Sequence, residues 1–179
     1  MADKKAQTRE RILAVTRKQL FRRGPVEPSV GELMTAAGLT VGGFYAHFAS
    51  KDELMLEAFT QLLDDRRAQL AQLSEPLSAA ERRVRMARFY LSRGHRDGQD
   101  EGCPLPSSLA EFARLPDAFR QVLERHVELL SAELADSPGE ADKVLADLAL
   151  MVGGLTLARA LGPGELSDRL LKAAVAAIS

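Results

Sequence analysis

The sequence predicts an all-α protein, on three observations. Apolar residues recur at helical spacing along most of the 179 residues, while β-branched runs and alternating apolar–polar stretches are scarce. Aliphatic side chains and alanine dominate, with no tryptophan and only Tyr45 and Tyr90 as tyrosines. Gly–Pro punctuation at 24–25, 137–139 and 162–164 cuts the pattern into about nine helices. The length suits one domain or two small ones, with ample chain for a core.

A first helix is expected over roughly 7–23, with Thr8 near its start and Ile12, Leu13, Thr16, Leu20 and Phe21 facing inward. Gly24-Pro25 ends it, because proline disfavours helix at the preceding residue. Ser29 then caps a short helix that places Leu33, Met34 and Ala37 on one face. Gly38 supplies the left-handed residue that closes it, and Leu39 folds back as an apolar plug. Thr40 caps a second short helix, 41–47, whose Phe44 and Phe48 pack inward. Thr40, Gly42, Gly43, Tyr45 and His47 are left facing outward. A helix–turn–helix of this kind presents its second helix to the DNA major groove.

Ser50 caps a long helix to about residue 73; Glu53 closes a capping box, and Leu54, Ala58, Leu62 and Leu63 form the buried stripe. Further helices are expected at about 78–93, 105–114 and 117–135. The glycine- and charge-rich loop 94–104 separates the first two, and Leu115-Pro116 breaks the chain before the third. The last two helices are expected at about 140–161 and 165–178. Two units follow, joined through the long helix with no flexible linker. Residues 1–50 form a three-helix DNA-binding head, and 51–179 a helical bundle for ligand binding and dimerisation.

The formal charge of −1 hides a division. Residues 1–51 hold nine Lys/Arg against four acids, a net of +5, which leaves −6 for the rest. A basic head on an acidic body suits phosphate contact by the head alone. No run of about 18 apolar residues indicates a membrane span, and the first residues lack the apolar core of a signal peptide, so the expected location is the cytoplasm. One cysteine, Cys103, excludes an intrachain disulfide framework. His47, His95 and His126 fall on separate elements, and metal-ligand spacing, a Gly-rich phosphate loop and a nucleophile motif are all missing. The chain is therefore expected not to be an enzyme and to need no metal or cofactor.

The run TRERILAVTRKQLFRRG followed by SVGELMTAAGLTVGGFYAHFASKDELMLEAF resembles the tetracycline-repressor-like (TetR) family of bacterial regulators over about 50 residues. The resemblance implies a homodimer on a palindromic operator, usually a repressor, released when a small molecule enters the helical body. GCPLPSSLAEFAR and ALMVGGLTLARAL are more weakly similar to a subgroup that senses electrophiles through a cysteine. Many family members carry a lysine early in the recognition helix, where this chain has Val41-Gly42-Gly43.

Thr40, Tyr45, His47 and Lys51 match positions that contact DNA in the family. A hydroxyl at a helix N-terminus can donate to phosphate, Tyr45 offers a ring and a donor, and neutral His47 still has a ring N–H. Lys51 lies in the first turn of the long helix, whose amides also favour an anion. Ser29 and Thr40 have capping as their competing role. Val41, Gly42 and Gly43 are candidates for base-edge contact by position.

In the body, Cys103 precedes Pro104 at an expected helix start, which favours a thiolate, while Asp100 and Glu101 oppose it. In the electrophile-sensing subgroup a cysteine near this point cooperates with a lysine in the last helix, which here is Lys172. The competing effector reading is a non-covalent apolar ligand. His126 lies on the stripe Phe119, Leu123, His126, Leu130, Leu134, and Phe89, Tyr90, Phe112 and Phe119 are candidate pocket walls or core. Over 140–161, Leu145, Leu148, Val152 and Leu155 make an apolar ridge, and Ala149, Gly153, Gly154 and Ala158 a flat strip. With Leu166 and Leu170 of the last helix this exceeds one buried stripe per helix and points to a subunit interface. The resemblance implies a four-helix dimer contact at that place.

The expected function is a ligand-responsive DNA-binding regulator, with double-stranded operator DNA, a second copy and a small effector as partners. The alternative is a helical ligand-binding or interaction protein without sequence-specific DNA readout.

Overall fold

A computed structural model describes residues 2–74, 77–98 and 102–178; Asp100 and Glu101 lie outside them. The described residues are helical and contain no strand. The helices are α1 (Ala2–Arg23), α2 (Val30–Ala36), α3 (Lys51–Ser74), α4 (Ala79–Tyr90), α5 (Arg93–Asp97), α6 (Leu105–Ser108), α7 (Asp117–Leu134), α8 (Ala141–Leu161) and α9 (Glu165–Ala177). Three 3-10 segments, Val41–Ala46, Leu109–Arg114 and Pro138–Glu140, complete the order.

Two compact units form. One takes in the chain up to Leu63 together with Cys103–Val122; the other takes in Asp64–Gly102 and the chain from Leu123. Packing thus groups the first half of α3 and residues 103–122 with the head, and α3 and α7 each contribute to both units.

The first unit is built on Ile12, Leu13, Leu20, Leu33, Phe44, Phe48, Leu54, Ala58 and Leu63, all buried. Phe59 of α3 adds an aromatic cluster with Phe112 and Phe119, at centroid distances of 5.4 and 6.1 Å. Local chemistry sets the boundaries. Ser29 and Glu32 form a capping box on α2. Gly38, at φ 65°, ends α2 with paired bonds from its own N–H to Thr35 and from the Leu39 N–H to Met34. Ser50 Oγ accepts from the Glu53 N–H, but the Glu53 carboxylate reaches the Ala49 N–H instead of that of Ser50.

In the second unit α8 packs against α9 and α4. Its inward face is Val144, Asp147, Met151, Gly154, Leu155 and Ala158. Arg83 of α4 is buried and pairs with Asp147 at 3.3 Å, which offsets the cost of taking both charges out of water. By length and composition Pro138–Leu161 is apolar enough to cross a membrane, at mean hydropathy 1.7, although charged residues interrupt it. Here its apolar surplus divides between the core and an outer face, and Asp147 within it is ion-paired.

The loop expected at 94–104 contains a helix. Ser92 caps α5 by accepting from the His95 N–H, and α5 buries His95 and Arg96. Arg96 Nη1 donates to Ser167 Oγ at 2.9 Å and to Asp168 at 2.8 Å, tying α5 to the start of α9. The helix expected at 105–114 is four α residues followed by a 3-10 segment.

Candidate functional site

The recognition segment was expected as an α-helix over 41–47; it is the 3-10 helix Val41–Ala46. Gly42 and Gly43 each cost about 1 kcal/mol of α-propensity relative to alanine, and a six-residue helix has few bonds to offset that. The Gly43 N–H bonds the Thr40 carbonyl at 3.1 Å, and the His47 N–H bonds that of Phe44 at 2.9 Å. Phe44 and Phe48 stack at 5.9 Å and are buried, which orients the opposite side outward.

On that side Tyr45 is 73% exposed, held edge-on against Phe44 at 5.2 Å. Val41 and Gly42 are exposed and Gly43 partly so. A Cβ on Gly42 would meet nothing within 4 Å, so no packing need in this chain calls for glycine there. Thr40 makes no side-chain capping bond, which leaves its hydroxyl available. Ser29 is engaged: Oγ accepts from the Glu32 N–H and donates to its carboxylate. The Ser29 amide and hydroxyl together bring the Glu32 pKa down to about 2. His47 is half-buried, and its Nδ1 has no hydrogen-bond partner among the described residues. Lys51 Nζ donates to the Val26 carbonyl, so it steadies the turn before α2.

Several head cations turn out to be structural, which charge counting could not separate. Arg9 pairs with Glu57 and lies 4.5 Å above the Phe48 ring, bracing the recognition segment from behind. Arg17 pairs with Glu10, and Arg23 with Glu27 and Glu32. Lys4, Lys5, Arg11 and Lys18 have no ion-pair partner among the described residues.

A clamp that sequence reasoning missed holds the end of α1. Gly24 follows it at φ 70°, and the Ser107 hydroxyl donates to the Leu20 carbonyl at 2.9 Å. The Val26 N–H donates to the Glu111 carboxylate, also at 2.9 Å. Gly24 is the one residue that fits: a Cβ there would stand 2.5 Å from the Ser107 carbonyl oxygen. These partners are 85 to 87 residues apart in the chain, so no local pattern announces them.

The candidate effector residues fall into separate sets. Phe112 and Phe119 fill the aromatic core of the first unit. Tyr90 packs edge-on against His95 at 4.7 Å in the second, and Phe89 is exposed. Two of the four rings belong to the first unit and two to the second. His126 is buried on the α7 stripe, with Nδ1 unpartnered among the described residues. Burial, helped by Arg67, lowers its pKa to about 4, so it is neutral at physiological pH. Cys103 is 5% exposed in the first unit, and the helix it precedes is a single turn, so the thiolate support expected from a longer helix is weak. Lys172 is exposed on α9, in the second unit.

Of the residues assigned to a subunit interface, Leu155 is fully buried in its own chain, as are its strip neighbours Gly154 and Ala158. The rest of the ridge stays outward: Leu145 is exposed, and Leu148 and Val152 are partly so. The outer face of α8 and α9 holds Gly153, Leu157 and Leu166, with Leu148, Val152 and Leu170 partly exposed. Leu157 and Leu166 are 57% and 61% exposed.

Residues 12–58 match the family model for bacterial regulatory proteins, tetR family. The fold over the whole chain is similar to that of E. coli NemR in its reduced form, with TM-score 0.80 and 22% identity over 97% of this chain and 95% of that one. It is also similar to a TetR-family transcriptional regulator from Agrobacterium tumefaciens, with TM-score 0.80 and 18% identity over 98% and 99%. Another, from Cytophaga hutchinsonii, gives TM-score 0.78 and 21% identity over 98% and 96%. Residues 12–58 thus carry the match to the tetR family model, and the fold along the chain is the one these solved regulators share.

Proposed function

We propose that the protein binds a palindromic operator as a homodimer, represses transcription there, and is released by a small effector. The observation that carries the DNA-reading part is the outward side of 40–47, with Tyr45 exposed over a core of Phe44 and Phe48. In this reading Thr40, Tyr45 and His47 hold phosphates, Val41, Gly42 and Gly43 approach base edges, and the free cations of α1 add salt-sensitive attraction. Lys51 acts through the turn it steadies, and Ser29 through its cap.

The exposed apolar face of α8 and α9 supports the dimer. Gly153 has nothing within 4 Å of a Cβ position, so a partner helix can approach closely. Two-fold symmetry then sets the recognition segments one DNA turn, or a multiple, apart. Residues 1–50 serve as the DNA-binding part and 51–179 as the effector and dimer part, with α3 as the element whose shift changes the spacing of the heads. An effector needs only to favour the DNA-incompetent state to cause release.

The effector reading favours a non-covalent ligand at His126, a buried neutral group with an unpartnered nitrogen, over thiol modification at the buried Cys103. Selection of bound fragments from random DNA by the purified protein tests the proposal. An inverted repeat with half-sites about one turn apart supports it; recovery of unrelated sequences refutes specific readout.

A further inference from the structure

Beyond these roles, the second unit carries an open groove between α4 and α9. It measures about 640 Å³, with an apolar floor of Val84, Leu91, Leu171, Val175 and Ile178. It continues along α4 into a hollow of about 510 Å³ that shares Val84 and Arg88 and reaches Leu77 and Ala80. From Leu77 to Leu91 the trough follows about 20 Å of chain at the helical rise of 1.5 Å per residue. Gly154 of α8 shapes the floor, since a Cβ there would stand 3.2 Å from Leu91 Cδ2 and displace it.

The charges around this floor are unbalanced. Arg93 pairs with Asp168 at 2.7 Å, and the other oxygen of Asp168 takes Arg96. Glu81 is turned to the cap of α4. Arg88 and Lys172, both exposed on the groove, have no ion-pair partner among the described residues. An apolar trough flanked by the unpaired cations Arg88 and Lys172, with Arg85 further along α4, is complementary to an apolar chain with an anionic end.

We propose that this groove binds a medium-chain alkyl carboxylate, its chain on the Val84–Ile178 floor and its head group held by Arg88 and Lys172. A peptide fits less well: the floor offers no polar group to satisfy buried backbone amides, whereas an alkyl chain has none to satisfy. A second copy also fits less well. A two-fold contact would set Arg85, Arg88, Arg93 and Lys172, with only Glu81 and Asp168 against them, facing the same surplus of positive charge.

Calorimetric titration of the full-length protein with dodecanoate, below its micelle-forming concentration, tests the proposal without any DNA. Dodecyltrimethylammonium carries the same chain with the opposite charge and serves as the comparison. Saturable dodecanoate binding is expected, about tenfold weaker in the double variant R88Q/K172Q and far weaker for the ammonium. Both side chains are exposed and unpaired, so the double variant should keep the wild-type melting curve. His126→Gln should leave dodecanoate affinity unchanged, separating this groove from the effector site. Equal affinity in R88Q/K172Q, equal affinity for the two head groups, loss of binding in His126→Gln, or no saturable binding up to about 1 mM would each overturn the assignment.

Discussion

Substituting Gly24 by alanine imposes two separate costs at one position. The first is conformational. Gly24 sits at φ 70°, and an L-residue in the left-handed region costs roughly 1–2 kcal/mol. The second is steric. The new Cβ would stand 2.5 Å from the Ser107 carbonyl oxygen and 2.8 Å from a Glu111 carboxylate oxygen. Glu111 can rotate away, at the expense of its bond to the Val26 N–H. The Ser107 oxygen is backbone and moves only with α6, so overpacking adds roughly 1–3 kcal/mol. Reduced entropy of the unfolded chain returns about 0.4–1 kcal/mol. The net expected loss is about 1–4.5 kcal/mol, read as a lower urea midpoint at constant m-value. Gly42→Ala is the internal control: it has open space and no positive φ, so it should be neutral or gain up to about 1 kcal/mol of helix propensity. A Gly24→Ala protein within about 0.5 kcal/mol of wild type would refute the clamp. So would a Gly42→Ala protein that loses as much as Gly24→Ala.

Three further outcomes follow from the second unit and Cys103. Leu157→Glu and Leu166→Glu place charge on the exposed apolar face and should convert the proposed dimer to monomer by light scattering; intact dimers in both would remove that face from the interface. His95 and His126 have folded pKa values lowered to about 4, so below pH 6.5 the unfolded chain takes up protons first. Stability should therefore fall between about pH 6.5 and 4 by up to about 3 kcal/mol per histidine, and urea titrations of His126→Gln should show a shallower fall than wild type. An identical pH dependence in the variant would contradict the burial of His126 as a neutral group. Cys103→Ser should leave operator release by electrophiles undiminished if the effector is non-covalent; abolished release would transfer the sensing role to the thiol.

The parts of this molecule legible in the sequence are those governed by local chemistry. Ser29 and Ser50 as caps, Gly38 as the left-handed residue, and the inward pair Phe44 and Phe48 depend on neighbours within a few residues. The recognition segment was legible as a helix, but its 3-10 form reflects the weak α-propensity of Gly42-Gly43 in a short element. Helix 93–97 was hidden because glycine and charge read as loop, whereas its burial rests on Arg96 meeting Ser167 and Asp168 more than 70 residues away. Leu155 was assigned outward because α8 is apolar all round, and periodicity cannot tell a core stripe from an interface stripe on such a helix. Nor could charge counting separate cations held by Glu57 or Glu10 from those with no ion-pair partner among the described residues.

The measurement that reaches the central claim is the affinity of the protein for its own upstream DNA across a range of salt concentrations, for wild type and Tyr45→Ala. Tyr45 is the cleanest choice, since it is exposed and, among the described residues, makes no bond that holds the head together beyond its edge contact with Phe44. The expected result is log affinity falling linearly with log salt, at a slope of about −0.9 per phosphate contacted. At fixed salt Tyr45→Ala should bind about tenfold more weakly, a change of about 1.4 kcal/mol, with an unchanged urea midpoint. Salt-independent binding, or a Tyr45→Ala protein that binds as tightly as wild type, would contradict the placement of the 40–47 surface on DNA.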